Sequence, residues 1–190
     1  KTLDQRYLLV ESSSSDATEV WYLDLMAEKG DDDDDATTLT PVAHRIPKVL
    51  YSVDHGNGIW WMVSNIFKKE FDLLYAPVGS HDWMSVRPDT DGGDSENNNE
   101  EESNPAFILK GHSLDDVTVL EHHLVIQGRL KSSGLPQIWI AKLDATDHFT
   151  IKSLVPILDD GDAAHSIDFV GSATGSFDTS SIVIEYESLV

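Results

Sequence analysis

Residues 49–78, VLYSVDHGNGIWWMVSNIFKKEFDLLYAPV, decide how this chain is read. Three runs, VLYSVDH, IWWMVS and FDLLYAPV, are rich in β-branched, aromatic and aliphatic side chains, and the polar breaks HGNG and NIFKKE separate them. Their apolar residues fall in short blocks without a 3.6-residue period. Such blocks between turn signals are strands that fold back on one another, not turns of a helix.

The same arrangement recurs on both sides. Residues 6–11 (RYLLVE) precede 19–25 (EVWYLDL), and residues 123–127 (HLVIQ) precede 137–143 (QIWIAKL), as 59–64 precede 71–78. Each pair is expected to form a hairpin. A fourth member begins at residues 181–186 (SIVIEY). Tyr7, Ile59, His123 and Ile182 then stand at equivalent positions, with spacings of 52, 64 and 59, and the longest interval holds an acidic insertion. Three of the hairpin positions are preceded by a further strand (VLYSVDH, VTVLEHH, HSIDFVG), and three are followed by one (PVAHRI, AFILKG, FTIKSLVPI). Four antiparallel strands in a unit of about 50 residues is the period of a β-propeller blade.

The expected fold is all-β, a partial β-propeller with blades at roughly residues 1–47, 48–110, 111–160 and 161–190. The first blade lacks its opening strand, and the last has only two strands. Propellers close with about four to eight blades. The chain opens on Lys1 and is expected to be a piece of something longer, with apolar outer faces on its two end units.

Composition narrows the function. The 190 residues carry 34 Asp plus Glu against 13 Lys plus Arg, a formal charge of -21, with 40% hydrophobic residues and no cysteine. Nucleic acid is excluded as a partner, since its binders concentrate Lys and Arg, and an anionic membrane surface is disfavoured for the same reason. Disulfides and cysteine-ligated metals are excluded. No apolar run approaches the roughly 18 to 20 residues that span a bilayer. The start KTLDQRYLLV lacks the succession of a signal peptide, and the expected location is cytoplasmic.

Much of the acidity sits in two insertions, residues 31–35 (DDDDD) and 89–104, expected to be solvated loops too polar and self-repelling to pack. Asp89, Asp91 and Glu100 have the spacing of positions 1, 3 and 12 of a calcium loop. Position 6, which needs glycine, is Asp94, and the flanks are not helical, so no metal or other cofactor is assigned.

Four blocks resemble the propeller of prolyl-oligopeptidase-type serine peptidases, most closely the oligopeptidase B group. They are RYLLVESSSSDATEVWYLDL at residues 6–25, YSVDHGNGIWWMVSN with FDLLYAPV within 51–78, VTVLEHHLVIQGRLKSSGLPQIWI at 117–140 and FDTSSIVIEYESL at 177–189. The resemblance spans nearly the whole chain outside the insertions. It implies three to four blades of a seven-bladed ring that caps a C-terminal α/β-hydrolase domain with a Ser, Asp and His triad. Such a cap admits short peptides, which the oligopeptidase B group cleaves after basic residues. This chain resembles the cap and carries none of the chemistry. The nucleophile elbow G-x-S-x-G is absent: GHSLD at Gly111 lacks the closing glycine, and GSATG at Gly171 has Ala173 in place of serine.

Other candidates are weighed on geometry. His122 and His123 are neighbours on a strand, and so are Asp54 and His55. Their side chains point to opposite faces and cannot share one ion, so the histidines are expected at turns and on the surface. Trp21, Trp60, Trp61, Trp83 and Trp139, at strand positions of a repeat, are expected to pack between blades. Arg129, at the end of HLVIQG in a chain short of cations, is the one residue singled out, either as a surface or ion-paired arginine or as a contact to the hydrolase domain or the channel. The alternative to the peptidase cap is a free-standing propeller that serves as a binding scaffold.

Overall fold

A computed structural model of the chain describes residues 1–27, 38–67, 69, 71–86, 109, 112–158 and 165–188. Among them every regular element is a β-strand, and the strands form four separate antiparallel sheets. The first holds β1 (Tyr7–Ser13), β2 (Thr18–Asp24) and β3 (Thr40–Ala43). The second holds β4 (Tyr51–Gly56), β5 (Ile59–Ser64), β6 (Asp72–Pro77) and β7 (Met84–Ser85). The third holds β8 (His112–Val119), β9 (His123–Leu130), β10 (Pro136–Leu143) and β11 (Ile151–Pro156), and the fourth β12 (His165–Ser172) and β13 (Ile182–Ser188). In every sheet each strand pairs with its neighbour in sequence. The fold is all-β, an open series of propeller-type sheets.

Turn chemistry sets the tightest hairpin. Gly56 pairs with Ile59 across Asn57 and Gly58, whose φ angles of 55° and 78° are left-handed. Two central residues with positive φ fit the right-handed twist of the flanking strands, and Asn-Gly is the sequence that tolerates them best. AFILKG is the expected outer strand of the second sheet; among the described residues the strand paired with β6 is β7, through Leu74↔Ser85 and Tyr75↔Met84. Of AFILKG only Leu109 is described, and it is a fully buried turn residue packed among the core side chains. Both acidic insertions lie outside the described residues.

The core lies between the sheets. Alternate residues of the second sheet serve its two faces. Trp60, Met62 and Leu74 pack with Tyr7, Val20 and Tyr51 against the first sheet. Ile59, Trp61, Val63 and Leu73 pack with Leu124, Ile126 and Trp139 against the third. A further cluster, Leu120, Val125, Ile138 and Ile167, joins the third sheet to the fourth. A strand covered on both faces needs no polar positions, which is why β5 reads as one continuous apolar run and is buried along its whole length. Trp60, Trp61 and Trp139 pack between sheets as expected, and Trp83 packs against the cluster around Trp60. Trp21 does not. Its strand neighbours Val20 and Tyr22 face the second sheet, so Trp21 points away from it, opposite the exposed Val10.

Candidate interblade and interdomain contacts

β4 is the hinge of the assembly because its side chains alternate between two neighbours. Tyr51 and His55 turn to the first sheet. The Tyr51 hydroxyl accepts a hydrogen bond from Val20 N at 2.7 Å and donates to the Ala43 carbonyl at 3.2 Å. Burial pushes its pKa up to about 12, so it stays a neutral donor. The same seam gains a backbone bond from Thr18 N to the Val49 carbonyl at 3.0 Å.

His55 is 1% exposed, contrary to the expectation of surface and turn histidines. Its Nδ1 lies 2.7 Å from Asp4 Oδ2, and its ring packs edge-on to Tyr7 and Trp60 at centroid distances of 4.6 and 4.8 Å. Nε2 is buried with no hydrogen-bond partner among the described residues. A second proton would therefore bury an unpaired N–H, and desolvation lowers the His55 pKa even though Asp4 favours the charged form. Asp4 also accepts from Thr2 Oγ1 at 2.6 Å and Arg6 N at 3.2 Å, which ties the opening segment to this seam.

Asp54 and Asn57 turn to the third sheet. The Asp54 carboxylate accepts Val119 N and its neighbour His55 N, both at 2.8 Å. Burial raises its pKa to about 6, opposed by those two hydrogen bonds and aided by the nearby charges of Asp116 and Asp4. Asn57 Nδ2 donates to the Glu121 carbonyl at 2.7 Å. The divergence of Asp54 and His55 foreseen from strand geometry thus has a purpose: one residue clasps each neighbouring sheet. The sequence alone suggests a turn or surface place for His55 and no role for Asp54. The Asn-Gly turn marked the place, but which partner each side chain meets depends on sheets about 50 to 65 residues away.

Arg129 stands on β9 opposite Ser113. Its Nε bonds Asp115 Oδ2 at 3.0 Å with both side chains about half exposed. Asp115 is the extra residue of a β-bulge in β8, between Leu114 and Asp116, which turns it toward Arg129. The pair borders a cavity of about 170 Å3 between the third and fourth sheets, lined also by Asp116, Gln127, Gln137 and Asp168. Gln127 Oε1 there accepts Phe169 N at 3.4 Å.

No family model matches the chain, and no curated protein matches it significantly. Solved structures do. Oligopeptidase B from Trypanosoma brucei, in its closed form with covalently bound antipain, covers 100% of this chain at 23% identity with a TM-score of 0.73. Oligopeptidase B from Leishmania major also covers 100%, at 25% identity and a TM-score of 0.71. A prolyl endopeptidase structure covers 100% at 13% identity and a TM-score of 0.57. The chain spans only 23 to 26% of the length of these structures. In fold, the chain is similar to the propeller portion of oligopeptidase B and prolyl oligopeptidase.

Proposed function

We propose that the chain is a non-catalytic portion of the propeller of an oligopeptidase B-like serine peptidase, which gates access of short peptides to an α/β-hydrolase domain of the same parent protein. One observation carries this reading: the whole chain superposes on less than a quarter of oligopeptidase B. The chemistry then belongs to the parent. No G-x-S-x-G string occurs in the 190 residues, and the strands here supply only sheet faces and turns. A ring of such sheets acts by exclusion, since its inner edge admits an extended peptide and turns away a folded protein. Arg129 is assigned a supporting role at an interdomain or channel surface. Half of its side chain is exposed while Asp115 holds the guanidinium in place. The same reading carries a cytoplasmic location, which fractionation of the source cell tests.

Assay of the pure chain with a dibasic fluorogenic peptide is expected to show no hydrolysis. Turnover that tracks the pure chain and is blocked by a serine-directed inhibitor would overturn the non-catalytic assignment. Reading the gene on either side of these residues separates the peptidase cap from the free-standing scaffold. A downstream hydrolase pattern with G-x-S-x-G supports the former, and its absence supports the latter.

A further inference from the structure

The connection between β12 and β13, residues 173–181 (ATGSFDTSS), leaves the fourth sheet and returns to it, closed at its base by Ala173 N donating to the Ser181 carbonyl at 3.0 Å. Its tip does not stay with its own sheet. The Phe177 carbonyl accepts Glu121 N at 3.0 Å, in the β8–β9 turn of the third sheet. The Phe177 ring lies over Gly56, the last residue of β4 in the second sheet. A Cβ placed on Gly56 would stand 2.9 Å from two ring atoms and 2.5 Å from Val119 Cγ1. Glycine is therefore the seat that lets the ring approach. Gly56, Val119 and Ser172 end β4, β8 and β12, each the opening strand at the edge of its sheet. One phenylalanine from the fourth sheet thus crosses the ends of all three.

The segment is held largely by its own contacts. Apart from Phe177 it carries only small and polar side chains, and it holds its own shape. Ser176 Oγ bonds Asp178, and Thr179 Oγ1 donates to the Ser181 carbonyl at 2.8 Å. Among the described residues the tip is tied to the other sheets by the half-buried ring and one backbone bond, neither of which belongs to a sheet ladder. Beneath its returning arm lies a cavity of about 240 Å3, with Leu120, Ile140 and Ile182 as apolar walls and His123, Thr179 and Ser181 beside them.

We propose that residues 173–181 are a strap across the ends of β4, β8 and β12 that closes over the Leu120 pocket, and that it opens by withdrawing Phe177 from its seat on Gly56 while the sheets stay paired. The proposal rests on the propeller fold and not on the parent being a peptidase, and it is tested on the chain itself. The chain has no cysteine, so Leu120→Cys introduces a single reporter thiol at a buried position in the wall of this pocket. Its maleimide labelling is expected to be slow and to rise at least about tenfold with Phe177→Ala, while Phe177→Leu keeps it slow. Amide exchange without any cysteine gives the second reading. With Phe177→Ala the Glu121 amide loses protection and the Val119 amide, held by Asp54, keeps it. Labelling indifferent to Phe177 would sink the strap. So would joint loss of both amides, or a melting point lowered by more than about 5 °C, since Phe177 would then be a structural wedge.

Discussion

Among the described residues the second and third sheets are covered on both faces, and the first and fourth on one. Between the second and third, Trp61, Val63, Leu73, Leu124 and Ile126 are all at or below 1% exposure, and Asp54 and Asn57 fasten the polar end of the same seam. On the far side of the first sheet Leu8 and Val10 are exposed, and on that of the fourth Val170 and Val183 are exposed at 62 and 44%. The strands themselves are of one kind, short and rich in β-branched and aromatic residues. What differs is the neighbour. A β-sheet face contributes to stability only when another face removes it from water, so equal sequence patterns carry unequal energies at the centre and at the ends.

The largest expected break in this contrast is Trp61→Ala. Removing a fully buried indole from the central seam should cost about 3 to 5 kcal/mol, against less than about 0.5 kcal/mol for Val183→Ser on the exposed face. Urea unfolding of the two variants measures both, and equal losses would mean that the ends are as tightly packed as the centre. Gly56→Ala comes next. Its methyl group must displace Val119 and Phe177, an overpacking expected to cost about 1 to 3 kcal/mol. A neutral result would show that the seam yields there.

Asp54 and His55 sharpen the contrast through pH. The native pKa of Asp54, about 6, lies above its unfolded value, so the stability linked to its proton is present at low pH and is lost as pH rises toward 6. His55 works in the opposite sense. Its native pKa is lowered, so stability is lost as pH falls below the unfolded value of about 6.5. In the wild-type chain the two oppose each other between pH 4 and 6.5. Asp54→Asn removes one of them, and the variant should lose stability more steeply on acidification, by on the order of 1 to 3 kcal/mol over that window. Parallel pH profiles would show that Asp54 is solvated rather than enclosed.

The smallest effect on stability should come with the clearest effect on association. The exposed apolar faces are expected to make the chain self-associate, and Val183→Lys to weaken that association while leaving unfolding within about 0.5 kcal/mol of wild type. Sedimentation over a concentration series reads this. A wild-type chain of 21.0 kDa that stays a compact monomer throughout would show that the exposed faces do not seek partners.

The sequence by itself determined the strands, the hairpins and their repeat, because these are local. Alternation, apolar blocks and the Asn57-Gly58 turn act within about ten residues of one another. It placed Trp60, Trp61 and Trp139 between sheets because large aromatics in a repeating strand have few other uses. Tertiary structure alone decided the rest. Met84–Ser85 pairs with β6 at the outer edge of the second sheet, a two-residue strand too short to carry a pattern of its own. Trp21 faces outward because no described sheet lies on that side of β2. His55 is buried because Asp4, 51 positions earlier, meets it across the seam. Phe177, an unremarked residue in a polar loop, packs over Gly56 because the strand ends of three sheets converge there. Contacts of this kind are set by where the sheets come to lie against one another, and no local pattern of residues encodes that placement.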